Sequence, residues 1–589
     1  MAETLISPGV LARENDQSFI GGRPVTYGAA IIGPAVKGPV GIPTAVSSFS
    51  QYQSIFGGTV ESGSQYYTYL NSVAANNYFS QGGESLLVTR VVTGSFSGAV
   101  TSGSGAGPNN SGIITVGFGD ASDAGYEKTA FELKTISEGV IMNNYQAADS
   151  AGGTLTSGSA DNLRWEIASS NTSSGQFSLL LRRGNDTLNQ KAVLESYNNL
   201  SMDPTAPNYI SNVIGDTYST IESDNGQYYV KTNGNYPQRS SYVYVSQVNT
   251  PTPSYFDNNG TAKNIYTGSL PVVGSGSFTS ATGNNFENGD ADFNQNITTS
   301  TNIQGIGPND YTQSIALLNN TDQYQFNVIS APGLINSIHT SQVNSLVSLA
   351  QNRTDCIAVV DLVPYNSTIS AATTQATTFD SSYAATYWPW LQTIDPGTGQ
   401  TVWAPPSTYI PGVYAFTDAS SDPWFAPAGL IRGALGSVIR AERALTSGNR
   451  DTLYVANVNP IATFPGSGIV VFGQKTLQKR ASALDRVNVR RLLISLKSYI
   501  VQVSDNLVFE QNTIATRNNF LAQVNPYLES VQQRQGLYAF KVVMDETNNT
   551  PDVIDRNQLV GQIYLQPTKT AEFIILDFNV LPTGATFPG

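Results

Sequence analysis

Cysteine and histidine are almost absent: the 589 residues contain one of each, Cys356 and His339. An internal disulfide is therefore impossible, and a zinc site built from several Cys and His ligands is excluded. A Ser-His-Asp triad would have to use His339. No Gly-X-Ser-X-Gly elbow accompanies it, and it falls in an expected helix, so it reads as a structural or surface histidine. Cys356 lies in the apolar run Cys356-Ile357-Ala358-Val359-Val360 and reads as a small buried hydrophobe. Charge is also scarce: 12% of residues are Asp, Glu, Lys or Arg, about half the usual share. No stretch of about 18 apolar residues occurs, which argues against a transmembrane helix. Met1-Ala2-Glu3-Thr4 is not a basic segment leading into an apolar run, so no secretory signal is visible and synthesis in a cytoplasm is expected.

Hydrophobic residues make up 40%, enough for well-buried cores, and the length calls for three or four domains. The 53 glycines and 30 tyrosines accompany abundant Ser, Thr and Asn, a composition that suits β-rich, exposed structural proteins. The net charge of −13 is unevenly spread. Residues 430–589 carry 16 Lys/Arg against 12 Asp/Glu; residues 1–429 carry 14 against 31. An acidic body with a mildly basic end argues against nucleic acid as the main partner and allows an acidic protein partner at the basic end.

Residues 1–20 have little core-forming pattern and read as an arm. Residues 21–95 read as α/β, with buried strands at Ala29–Gly33 and 86–92 around a helix near 73–79. Residues 96–320 change character, with Gly/Ser/Asn/Thr tracts separating short β-like runs such as 177–182 and 242–245. One or two inserted β-rich domains are predicted. Residues 321–470 return to α/β, with strands at 326–330 and 357–361 joined by a crossover helix over 335–351. That arrangement favours a parallel sheet. A further helix is predicted from Ala426 to Leu445, with Leu430, Ile431, Leu435, Val438, Ile439 and Leu445 facing inward.

Residues 471–569 predict two helices and a sheet. Val489, Leu492, Leu493, Leu496, Ile500, Val503 and Leu507 form one apolar helical stripe, and Arg486, Arg490 and Lys497 fall on another. Ile514, Leu521, Val524, Leu528 and Val531 mark a second helix, which Pro526 should kink or split. Strands follow at 537–544, 558–566 and 571–580. The last begins an arm over 570–589. Its apolar residues alternate onto both faces, so it wants cover on both sides. The fold class is thus multidomain α/β and α+β.

Catalytic signals are weak. Gly468 to Thr476 approximates a phosphate-binding loop with one residue too many, but its inner positions Ile469-Val470-Val471-Phe472 are apolar and read as a strand. Paired carboxylates for sugar chemistry stay open, because their approach is tertiary.

The order of several motifs is more specific. Asn459-Pro460-Ile461, Phe464-Pro465-Gly466, Gly468 to Gly473 and Lys475-Thr476-Leu477 follow one another. Upstream stand Tyr387-Trp388-Pro389-Trp390, Pro405-Pro406-Ser407 and Trp424-Phe425-Ala426-Pro427. Downstream stand Val487 to Leu493, Val508-Phe509-Glu510-Gln511-Asn512 and Gln566-Pro567. Ser7-Pro8-Gly9-Val10 and Phe79-Ser80-Gln81-Gly82-Gly83 fit the start. This series resembles the sheath proteins of contractile tails: phage tails, R-type bacteriocins and type VI secretion machines. Phe472 and Lys475 replace the family's usual Trp and Arg, keeping an aromatic and a positive charge. The resemblance covers roughly residues 5–95 and 325–580.

The resemblance implies a structural subunit, not an enzyme, with no cofactor or metal. It implies a helical homopolymer around an inner tail tube, with baseplate and tail terminator proteins as further partners and no stable membrane binding. Contraction would drive the tube through a host envelope during genome delivery. The implied location is a virion tail assembled in a host cytoplasm. In the family, terminal arms add strands to neighbouring subunits. Here Ile6, Val10 and Leu11 would act at one end, and Phe573, Ile574, Ile575, Leu576 and Phe578 at the other. The C-terminal domain sits at the inner radius, where Arg486, Arg490 and Lys497 would meet the tube. Alternative readings are a capsid or S-layer type protein, or a polysaccharide-degrading activity carried by the insert.

Overall fold

The computed structural model describes residues 26–62, 65–101, 114–116, 127–144, 158–187, 189–284 and 293–572. An eight-stranded sheet forms its centre. The strand order is Gly468–Val471, Asn459–Phe464, Ala384–Trp388, Ile357–Asp361, Val328–Ile335, Ala29–Gly33, Leu86–Arg90 and Thr44–Val46. The six inner strands pair in parallel; each outermost strand pairs antiparallel. Every residue of Ala29–Gly33, Leu86–Arg90, Val328–Ile335 and Ile357–Asp361 is buried. That explains why these strands read as continuous apolar runs instead of alternating ones. The crossover helix Thr340–Arg353 links two neighbouring parallel strands, as its sequence pattern predicts.

The segment between Arg90 and Val328 divides in two. Residues up to about 284 build antiparallel sheets, the larger from Leu163–Asn171, Gln176–Arg183, Val193–Ser201 and Gly274–Ser277. They enclose a separate core around Phe131, Trp165, Phe177, Leu179 and Phe278. The chain enters and leaves this unit at one place, where the Ser97 N–H donates to the Thr282 carbonyl at 3.0 Å. Ile297, Ile303, Ile306, Tyr311 and Ile315 instead pack in the central core, although the composition of the tract had placed them in the insert. Single apolar residues among polar neighbours carry no periodic signal, so only packing reveals them.

Arg90, 2% exposed, fastens the two units together. Its Nη1 donates to the Gly38 carbonyl at 2.6 Å and to the Glu138 carbonyl at 2.8 Å.

The predicted helix over Ala426 to Leu445 does not form. The segment is a series of turns with a short strand at Val438–Ala441. Leu430, Ile431 and Ile439 are exposed rather than inward, while Leu435 and Leu445 are buried. Pro427 and three glycines in ten residues outweigh the apolar spacing. Gly429 stands at φ 93°, a region that L side chains rarely adopt.

In the C-terminal unit the helices Val487–Asp505 and Ile514–Gln533 pack around Leu492, Leu496, Val503, Phe520, Val524, Leu528 and Val531. The second helix runs through Pro526 without splitting. Ile514, expected inside, is exposed at the helix start. Trp424 belongs to this core although it lies in the preceding region of sequence. A two-stranded ribbon, Leu537–Val543 with Gln562–Pro567, completes the unit. The residues expected to form the arms, Ile6, Val10, Leu11, Phe573, Ile574, Ile575, Leu576 and Phe578, lie outside the described residues.

A buried carboxylate gives the central sheet a pH dependence. Asp361 ends a central strand, 3% exposed. Its carboxylate accepts from Ser407, through Oγ at 2.5 Å and the backbone N–H at 3.2 Å. Burial raises its pKa to about 7, and the two Ser407 bonds offset only part of that. The folded state therefore holds a proton that the unfolded chain releases between about pH 4 and pH 7. Stability from this group is present below that window. It is lost as pH rises through about 7, at up to roughly 1.4 kcal/mol per pH unit. Thermal melts should show this fall in the native chain and a flatter profile in Asp361→Asn. Identical profiles would remove Asp361 as the source.

Candidate functional site

The first C-terminal helix starts against the central sheet, with Arg486, Arg490 and Arg491 at its N-terminal end. Arg486 precedes the helix as its N-cap. Its Nε and Nη2 donate to the two carboxylate oxygens of Glu572 at 2.7 and 2.9 Å, a bidentate pair. The Tyr454 hydroxyl donates to Glu572 at 2.7 Å, and Gln474 Nε2 donates to Glu572 at 3.1 Å and to Thr570 Oγ1 at 2.7 Å. Burial alone would raise the Glu572 carboxyl, but the bonds from Arg486 and Tyr454 outweigh it and hold the group below the usual range. The polypeptide is thus pinned at Glu572, near the start of the C-terminal arm predicted over 570–589.

Arg490 and Arg491 turn toward the central unit. Arg490 is buried, its guanidinium 3.9 Å from the centre of the Tyr383 ring and bonded to the Ser382 hydroxyl. Arg491 pairs with Asp418 at 2.5 Å and lies 4.6 Å from the Tyr414 ring, whose hydroxyl meets that of Tyr387 at 2.7 Å. Lys497, two turns on, is exposed with its Nζ 3.5 Å from the Tyr383 hydroxyl. The basic stripe read from the sequence therefore has three environments. Arg486 is half-buried and paired, Arg490 is buried inside the chain, and Lys497 is exposed. Helical spacing locates a stripe but not what covers it.

The sequence also missed the other side of this junction. Arg534 pairs with Asp422 at 2.7 Å and lies 4.8 Å from the Trp424 ring, whose Nε1 donates to the Arg534 carbonyl at 3.0 Å. These partners are about 110 positions apart, so only tertiary structure joins them. His339 is buried at the start of the crossover helix. Its Nδ1 accepts from the Ile335 N–H and its Nε2 contacts the Thr299 carbonyl, each at 3.1 Å, which is a structural role. Gly468–Val471 is a strand, so the near-match to a phosphate loop has no loop.

Arg491 and Asp418, 2.5 Å apart, tie the two units together, so each single alanine variant should loosen the junction. In Arg491→Ala the half-buried Asp418 carboxylate, already raised by burial, loses its cation. The loss should be smaller in a background that already lacks Asp418. A double-mutant cycle on chemical denaturation should give a coupling of about 1–3 kcal/mol. A coupling near zero would show that the contact does not hold the units together.

Comparison with known proteins assigns the same regions. The phage tail sheath protein central domain matches residues 304–477, and the phage tail sheath C-terminal domain matches residues 480–581. The tail sheath protein of Vibrio phage KVP40 is 43% identical over 185 residues, which is 31% of this chain and 28% of that protein. That of Enterobacteria phage T4 is 34% identical over 259 residues, 41% of this chain and 39% of that protein. The matched parts thus span between about a quarter and two-fifths of these relatives. A sheath tail protein from Listeria innocua shares the fold at 10% identity, with a TM-score of 0.51 over 92% of this chain and 95% of that one. The chain thus carries, in order, regions that match the central and C-terminal domains of phage tail sheath proteins.

Proposed function

We propose that this chain is the repeating subunit of a contractile tail sheath. It polymerises around an inner tube and contracts to drive that tube through a host envelope. The two matching sheath domains support the reading, and one feature of the fold carries it. Leu537–Val543 and Gln562–Pro567 pair only with each other among the described residues. Among the described residues no further strand pairs with either outer edge of this ribbon. A strand from another copy can add there through backbone hydrogen bonds. Glu572 is pinned to Arg486 of this same domain, which suits an arm anchored there and joining a neighbour.

On this reading the terminal arms, through Ile6, Val10, Leu11, Phe573, Ile574, Ile575, Leu576 and Phe578, join subunits. On the same reading Arg486 and Lys497 would meet an acidic inner tube, Lys497 being the exposed one of the two. Arg490, buried against Tyr383, acts by fixing the helix that presents them. Baseplate and tail terminator proteins are further proposed partners, and the proposed location is a virion tail.

Negative-stain microscopy of the purified chain tests the proposal. Hollow, striated tubes of one diameter are the expected result. Flat lattices or closed shells would instead favour an S-layer or capsid role.

A further inference from the structure

The helical hairpin ends in a feature that its own chain does not use. Phe509 is completely exposed, and Val508, Val501 and Ile514 beside it are each more than half exposed. Phe509 also has φ 70°, a left-handed conformation rare for an aromatic residue. Strain of this kind persists where surrounding structure enforces it, and it concentrates at contact and switch sites. Asp505 and Glu510, both exposed, flank the knob with negative charge.

A complementary feature lies on the central unit. A groove of about 510 Å³ runs between the strand Val438–Ala441 and the hairpin of Asn459–Phe464 with Gly468–Val471. Its apolar lining includes Leu435, Val438, Ile439, Ala444 and Ile469, and Arg440 is the single charged residue lining it. Ile439 at this groove is 48% exposed. The space is ample for an aromatic side chain, and the charge is opposite to that of the knob.

Knob and groove belong to different units of the chain, the groove beside the central core and the knob at the tip of the C-terminal hairpin. The 19-residue helix Val487–Asp505 is fixed at its base by Arg490 and Arg491. It carries the tip roughly 28 Å away from that junction. We propose that Phe509 of one copy docks into the Leu435–Ile439–Ile469 groove of a second copy, with Glu510 toward Arg440. Knob and groove are different surfaces of one molecule, so the contact is head-to-tail. Such a contact propagates from copy to copy, as a ring or a helix, rather than closing into a two-fold dimer. This inference deepens the sheath reading and rests on it for the second copy.

Cross-linking tests it directly. Cys356 is fully buried, so an introduced cysteine is the reactive one. The variants Phe509→Cys and Ile439→Cys are purified separately, mixed at high concentration and treated with a short bismaleimide. A covalent species of two chains should form in the mixture and at several-fold lower yield in either variant alone. Phe509→Glu should assemble at least tenfold less than the native chain while keeping its melting profile. Tubes from the native chain without the mixed cross-link would overturn the contact and leave the sheath reading intact. The cross-link without tubes would support the contact and count against the sheath. Loss of both would reject both, and a cross-link to added tube protein in place of the second copy would also overturn the proposal.

Discussion

Asp186→Ala should unfold the β-rich insert while leaving the central sheet and C-terminal unit folded. Asp186 and two arginines, Arg164 and Arg182, all have fully buried side chains. Asp186 Oδ1 accepts from Arg164 Nη1 at 3.1 Å and from Arg182 Nη2 at 2.9 Å; Oδ2 accepts from Arg182 Nε at 2.7 Å and from the Ala192 N–H at 3.0 Å. Removing the carboxylate takes away the acidic partner that two fully buried guanidinium ions share, while Arg182 keeps its pair with Glu166. The expected cost is about 3–5 kcal/mol, comparable to the whole stability of many domains. Replacing Arg164, Arg182 and Asp186 together by apolar residues of similar volume should cost far less, because the desolvation penalty of the ions disappears too.

Hydrogen exchange resolved by segment provides the measurement. Protection should vanish over 163–201 in Asp186→Ala and persist over 328–361. Uniform loss across the chain would show that insert and centre fold as one unit, and native-like protection would show that the network contributes little. Tube formation should survive in Asp186→Ala, since the contacts proposed for polymerisation lie on the C-terminal ribbon and the arms and not on the insert.

Deletion of residues 573–589 should abolish polymerisation and leave a soluble, folded subunit. The cut falls just beyond Glu572, so the bonds from Arg486, Tyr454 and Gln474 stay intact. The ribbon Leu537–Val543 with Gln562–Pro567 keeps its partner and its packing on the hairpin. What is lost is the strand predicted over 571–580, with its apolar residues on both faces. Each added strand would supply several backbone hydrogen bonds worth about 0.5–1.5 kcal/mol apiece. Their repetition along a helical polymer makes the effect all-or-none. Sedimentation should show a monomer at concentrations where the native chain forms tubes. Tubes of normal length from the truncated chain would reject the arm.

Much of this protein was legible in its sequence, and the legible parts share a physical cause. The strands Ala29–Gly33, Leu86–Arg90 and Ile357–Asp361 are buried on both faces, so each appears as an unbroken apolar run. The helix Val487–Asp505 buries one stripe, so its period survives in the residue order. One cysteine and one histidine ruled out disulfide and zinc chemistry before any fold was known. The ordered motifs around Asn459 and Val487 pointed to the sheath family, because they mark positions that packing and turns constrain.

Tertiary structure alone decided the rest. Apolar spacing from Leu430 to Leu445 suggested a helix, but Pro427, Gly429, Gly433 and Gly436 made turns and left Ile431 in solvent. The stripe of Arg486, Arg490 and Lys497 was visible as spacing, yet its meaning depended on Tyr383 and Glu572 from distant parts of the chain. Asp186 with its arginines, Trp424 under the C-terminal helices, and the Phe509 knob with its groove left no local trace. Sequence records the period of a buried face, because solvent acts on every residue in register. It does not record which distant surface covers that face, because that choice is made by packing between elements.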